Sequence, residues 1–218
     1  GLLGLLNPFA LLCGLASVAM LVVHGASWLV VKIEHGPVLN RAAKFGQIAA
    51  LLVIVFYAAA GVWLAVAGMG YRIVTDMDPN TVANPLRKEV VVEAGAWLTN
   101  YGKYPWMILA PALGFIGSAL AFVGLKNKTS LSLIGSGLAA TGIVASVGTS
   151  MFPFILPSSI NPNASLTVWD SSSSHLTLFI MLIVTVIFVP IILAYTAWVY
   201  KVLWGRLTTE EATAPGTY

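Results

Sequence analysis

Five stretches of this chain, Pro8 to Val31, Phe45 to Met69, Tyr104 to Leu125, Leu131 to Phe154 and Leu176 to Trp204, hold no Asp, Glu, Lys or Arg in their middle, Lys201 lying near an end. Each exceeds the about 20 apolar residues that a helix needs to cross the hydrocarbon core of a bilayer. A segment in that core has no water to bond, so its backbone is satisfied internally, as a helix. Of the 218 residues, 58% are hydrophobic and 9% charged, against about 25% charged in an ordinary soluble domain. The expected fold is an all-α integral membrane protein. It has five transmembrane helices, four-helix-bundle-like with an extra helix, in a single domain over residues 1–218, with outer loops 70–103 and 155–175 and a tail 205–218.

The loops alternate in charge. Lys32, Arg41, Lys44, Lys126, Lys128, Lys201 and Arg206 fall on one side. On the other, Arg72, Arg87, Lys88 and Lys103 are offset by Asp76, Asp78, Glu89, Glu93 and Asp170. The excess of Lys and Arg marks the first side as cytoplasmic, which places the C-terminal tail in the cytoplasm. The long outer loop carries its own pattern: Asn84 and Pro85 form an N-cap and first-turn pair, and Leu86, Val90, Ala94, Trp97 and Leu98 recur at helical spacing. That pattern predicts an interfacial amphipathic helix, with Trp97, Tyr101, Tyr104 and Trp106 in an aromatic belt just beyond it.

Between Met151 and Thr177 the chain reads MFPFILPSSINPNASLTVWDSSSSHLT. Pro153, Pro157 and Pro162 remove backbone donors and stop the preceding helix, while Asn161, Asn163 and the Ser171 to Ser174 run offer capping oxygens. So shaped a connector is expected either to dock on something or to serve as a capped loop. Small residues concentrate in GSGLAATGIVASVGTS, Gly135 to Ser150, where Gly135 and Ala139, or Ser136 and Ala140, lie four apart. This spacing lets helix backbones approach closely and predicts packing rather than chemistry.

Several functions are poorly served by these residues. The basic residues form no run that could track phosphates, so nucleic acid is not an expected partner. Cys13 is the single cysteine and lies in the first span, which rules out a disulfide within the chain and the usual thiolate metal sites. Haem needs axial ligands on both faces of one macrocycle. Of the three histidines, His24 sits about 10 Å from the inner end of its span at 1.5 Å per residue, His35 lies in the first inner loop and His175 opens the last helix at the outer face. Met20, Met107, Met151 and Met181 read as core or lipid-facing residues. Ion-coupled transport draws on intramembrane carboxylates, and none is present at depth. His24 reads as an interhelical hydrogen-bonding residue or a member of a proton relay, and Pro190 as a kink. Arg87, Glu93, Trp169 and Asp170 read as loop-to-loop salt bridges and caps. The chain opens on Gly1 within an apolar stretch and without a signal-peptide pattern, so a fragment or processed chain is expected.

LLNPFALLCGL (Leu5 to Leu15), NPLRKEVVVEAGAWL (Asn84 to Leu98), MFPFILPSSINPNASLTVWDSSSSHLTL (Met151 to Leu178) and VPIILAYTAWVYKVLWGRL (Val189 to Leu207) together closely resemble the C-terminal half of subunit II of the cytochrome bd-type quinol oxidases. The resemblance covers essentially the whole chain. It implies one part of a heterodimeric respiratory enzyme of the bacterial inner membrane that oxidises quinol, reduces dioxygen to water and generates a proton gradient. It also implies that haem b, haem d and the quinol-oxidising loop belong mainly to the partner, subunit I. The family's N-terminal half, with its intramembrane Trp-Asp-Gly motif, has no counterpart here. No catalytic, cofactor-binding or metal-binding residue is therefore assigned to this chain. The alternative expectation is a stand-alone small-molecule or ion transporter built around His24 and the broken region near Pro153.

Overall fold

The computed structural model describes residues 6–75, 84–206 and 208. Leu5, Asp76, Asp78 and nearly all of the tail 205–218 lie outside the described residues. The elements are α1 (Pro8–Lys32), α2 (Pro37–Val66), β1 (Gly70–Ile73), β2 (Val90–Glu93), α3 (Thr99–Lys103), α4 (Leu109–Asn127), α5 (Leu131–Met151), β3 (Phe154–Leu156), β4 (Leu166–Thr167) and α6 (His175–Val202). Short 3-10 turns lie at Pro85–Arg87, Ala96–Leu98, Pro105–Ile108 and Pro162–Ala164. The five expected spans are present, the third entered through the turn at Pro105.

Local chemistry sets the helix ends. Asn7 caps α1, its Oδ1 accepting from Ala10 N at 2.8 Å with Pro8 following, and Ser174 caps α6 by accepting from Thr177 N. α2 starts at Pro37, eight residues before the expected Phe45, so Arg41 and Lys44 lie in the helix and the inner connection shrinks to residues 33–36. The reason is that Pro37 presets helical φ, and the packing stripe runs past the charges: Leu39, Ala43 and Gly46 are all buried.

α1, α2, α4 and α5 pack into a four-helix bundle whose core is built of small residues, with Ala19, Val23, Ala26 and Val30 meeting Leu39, Ala43, Ala49, Ala50, Val53, Ala121 and Leu125. The small-residue run of α5 fits face to face with α4. A Cβ at Gly117 would stand 2.3 Å from Ala139 N, and one at Gly135 2.4 Å from Ala121 N. Buried serines answer their own helix, as Ser118 Oγ does by donating to Gly114 O at 2.8 Å. α6 is the extra helix. It has no buried residue and meets α1 near its inner end, where Trp28 and Tyr200 pack edge to face and Lys32 Nζ donates to Leu203 O at 2.5 Å.

The outer loop differs from its expected form. Residues 84–98 form no amphipathic helix. Asn84 does cap a first turn, accepting from Leu86 N at 3.0 Å, but that turn ends at Arg87, and β2 then pairs antiparallel with β1 from Gly70↔Glu93 to Ile73↔Val90. The β-branched run Val90-Val91-Val92 favours a strand once a partner is within reach, and Gly95, at φ 72, takes a left-handed conformation that ends it. Trp97 leaves the expected aromatic belt for a small core with Val90 and Phe154, whereas Tyr104 and Trp106 stay exposed.

Candidate functional site

The proline-rich connector docks, and what it docks on is the β1–β2 ribbon of the same chain. Lys88 Nζ meets Asp170 Oδ2 at 2.5 Å with both side chains sealed from solvent, 0% and 1% exposed. The ammonium also donates to Pro85 O at 2.8 Å, and Asp170 Oδ1 accepts from Thr167 N at 2.7 Å. Val90 N donates to Asn163 Oδ1 at 2.7 Å and Tyr71 Oη to Ser158 O at 3.1 Å. Burial alone would raise the Asp170 carboxyl. The hydrogen bonds from Lys88 and Thr167, together with the Lys88 charge, outweigh it and hold the group below its ordinary value.

The expected salt bridges form, with partners that sequence reasoning missed. Glu93 pairs with Arg72 at 2.8 Å, and Asp170 takes Lys88 rather than the neighbouring Arg87. No local signal marks Lys88: a lysine in a polar loop reads as solvated until the connector covers it. Trp169 packs edge to face on Phe152. Beneath the ribbon, Asn100 Nδ2 faces the carbonyls of Thr149, Ser150 and Phe152 at 2.9, 3.2 and 2.6 Å, so a side chain from α3 caps the end of α5. Tyr101 Oη joins Ser150 Oγ at 2.7 Å. A cleft of about 270 Å³ opens beside them, lined by Arg72, Trp97, Lys103 and Trp169 among others.

The histidines are not brought together. His35 lies in the α1–α2 connection at the inner end of the bundle, and His175 begins α6 at the outer end. His24, on α1, bonds through Nδ1 to Ser136 Oγ of α5 at 3.0 Å. Met107 is buried and Met181 exposed on α6. Among the described residues no group of three or more His, Cys, Asp or Glu converges on a point that could hold a metal ion. The donor set does not fit a haem, whose two faces need ligands on a common axis, and no step through one is assigned to these residues.

Five spanning helices, a polar cap fastened by a buried ion pair and a bundle closed by small residues define a multi-pass membrane subunit built for packing. The family model described as cytochrome bd terminal oxidase subunit II matches residues 1–203. The chain belongs to that family. It is 44% identical over 208 residues to "Cytochrome bd-I ubiquinol oxidase subunit 2" of Escherichia coli (strain K12), covering 95% of this chain and 55% of that protein. Identity to "Probable cytochrome oxidase subunit 2" of Haemophilus influenzae is 43% over 204 residues, 93% of this chain and 53% of that protein. With "Cytochrome bd ubiquinol oxidase subunit 2" of Bacillus subtilis it is 26% over 214 residues, 98% and 54% of the two chains. The chain thus spans about half the length of the curated relatives it matches.

Proposed function

We propose that this chain works as the C-terminal half of subunit II of a cytochrome bd quinol oxidase, the terminal respiratory enzyme that oxidises quinol and reduces dioxygen to water while building a proton gradient. Its role there is structural. It ligates no haem and packs beside subunit I, the larger partner on which haem b, haem d and the quinol-oxidising site reside. The complex sits in the bacterial inner membrane, and the excess of Lys and Arg around Lys32, Arg41, Lys44, Lys126, Lys128 and Lys201 directs that end of the bundle and the C-terminus to the cytoplasm.

The observation that carries this reading is the family match over residues 1–203. The geometry supports it, since a rigid bundle with a fastened outer cap serves assembly. The transporter reading is not favoured: His24 is committed to Ser136 and the region after Pro153 is folded into β3 and the cap. The test is purification of the tagged protein from native membranes in mild detergent, followed by a reduced-minus-oxidised visible spectrum. Co-elution of a larger polypeptide with b- and d-type haem bands is expected. A colourless eluate without a second polypeptide overturns the reading.

A further inference from the structure

His24 leaves one ring nitrogen without a partner at a depth where none is cheaply missed. Ser136 Oγ lies 3.0 Å from His24 Nδ1 and 3.0 Å from Leu133 O, and a hydroxyl has one hydrogen to give. If Ser136 donates to Leu133 O, the imidazole donates through Nδ1–H to Oγ, and two hydrogen bonds form. If Ser136 donates to Nδ1 instead, only one forms and an unpaired N–H is left on Nε2. The bond count assigns the proton to Nδ1 and leaves Nε2 an acceptor, with no partner among the described residues.

The position excludes the common donors. His24 lies eight residues from Lys32 at the end of α1, or about 12 Å at 1.5 Å per residue. The headgroup zone takes up only about 5–8 Å on each side of the hydrocarbon core, so the imidazole sits below it, among acyl chains that carry no N–H or O–H. Its side chain is exposed at the bundle surface, and the next residue, Gly25, has nothing within 4 Å of where a Cβ would stand. Packing within this chain therefore does not require a glycine there. Gly14, eleven residues earlier and almost on the same helical face, is equally open. Bare backbone on an outward face lets another helix approach closely, which a fluid acyl chain does not need.

We propose that His24 Nε2 and the Gly14–Gly25 face of α1 dock a membrane-spanning helix of the partner subunit, one that presents a hydroxyl, amide or indole N–H donor at this depth. The inference rests on the subunit reading above and names the surface through which this chain meets its partner.

The test uses the intact complex. A photo-crosslinking amino acid replaces Leu21, which is 70% exposed and one turn from His24, and irradiation is expected to join this chain to the second polypeptide. His24→Leu is expected to raise subunit dissociation in detergent about 3- to 20-fold, the range measured for interhelical hydrogen bonds in membranes, and His24→Gln, which keeps an acceptor oxygen, to restore most of the retention. Crosslinks that go only to lipid, to quinone or back into this chain overturn the inference, as does a His24→Leu complex that holds together like the unaltered one. Either result leaves the subunit reading standing. Absence of any second polypeptide overturns both.

Discussion

Gly135→Ala is the substitution whose outcome the structure constrains most tightly, because its control lies two residues away. An added Cβ at Gly135 would stand 2.4 Å from Ala121 N, 2.8 Å from Leu120 C and 2.9 Å from Ala121 Cα. All three are backbone atoms, so no side-chain rotation relieves the overlap, and α4 and α5 have to part by about 1 Å to reach ordinary contact. Overpacking of this kind costs about 1–3 kcal/mol. Separation also loosens the matching contacts at Gly117, Gly124 and Gly142, each of which would place a Cβ at 2.2–2.3 Å from α4 or α5 backbone, so the upper end of that range applies. Against it stands the gain of about 1 kcal/mol that alanine brings to a helix over glycine. The net expectation is a loss of about 1–2 kcal/mol. Gly137, on the same helix, has nothing within 4 Å of its absent Cβ, so Gly137→Ala collects the helix gain alone and is neutral to about 1 kcal/mol stabilising. Unfolding of the two variants side by side in mixed micelles, titrated with a denaturing detergent, reads the difference. Equal midpoints would refute the close-contact account of the α4–α5 interface.

The outer cap and the helix ends give further tests. Asp170→Asn removes one charge of the buried pair and strands the Lys88 ammonium, at a cost of about 3–5 kcal/mol, so limited proteolysis within the connector is expected to accelerate sharply. The folded Asp170 carboxyl lies below its ordinary value of 3.8, so its contribution is complete above that pH and is lost as pH falls below it. Cap protection measured between pH 6 and 3 should show this acid step in the unaltered protein and lack it in Asp170→Asn. Asn100→Leu leaves the carbonyls of Thr149, Ser150 and Phe152 without their donor, about 1–3 kcal/mol of destabilisation, read as faster amide exchange in the last turn of α5. Lys32→Met keeps the apolar stem but removes the ammonium that holds Leu203 O and lies 5.7 Å over the Trp28 ring. A spin label at Val202 should then gain mobility, and an unchanged spectrum would mean that α6 is held by something other than this clasp.

The spans were legible because in a bilayer length and apolarity decide the structure before any tertiary contact does. Caps at Asn84, Asn161 and Ser174 were equally plain, since the oxygen and the N–H that it takes lie within three residues. The α4–α5 contact could be read from the small residues between Gly135 and Ser150, although the sequence offered no means of seeing that Gly137 faces away from α4. What failed was the loop between α2 and α3. Leu86, Val90, Ala94, Trp97 and Leu98 fit a helical period, yet Val90 to Val92 became a strand because β1 lies opposite. A long-range partner overrode local spacing. Lys88 was hidden for the same reason, its counter-ion arriving from 82 residues away.

Hydrophobicity cannot tell this chain which neighbour is its own. The bundle helices turn apolar side chains outward, and α6 has a mean hydropathy of 3.0 with none of its window buried, but acyl chains satisfy such surfaces as well as another helix does. Selectivity inside the membrane must come from features that lipid cannot complete: close backbone approach at glycine, and a hydrogen bond to an atom stranded below the headgroups. Outside it, the work falls to shaped loops, and the cap is rigid for that purpose, with a charge pair, a carbonyl-gathering asparagine and an aromatic core fixing the connector against the ribbon. On this logic, variants that weaken assembly should concentrate at polar and glycine positions of the spanning surface and in the cap. Substituting one exposed leucine of α6 for another apolar residue should leave assembly untouched.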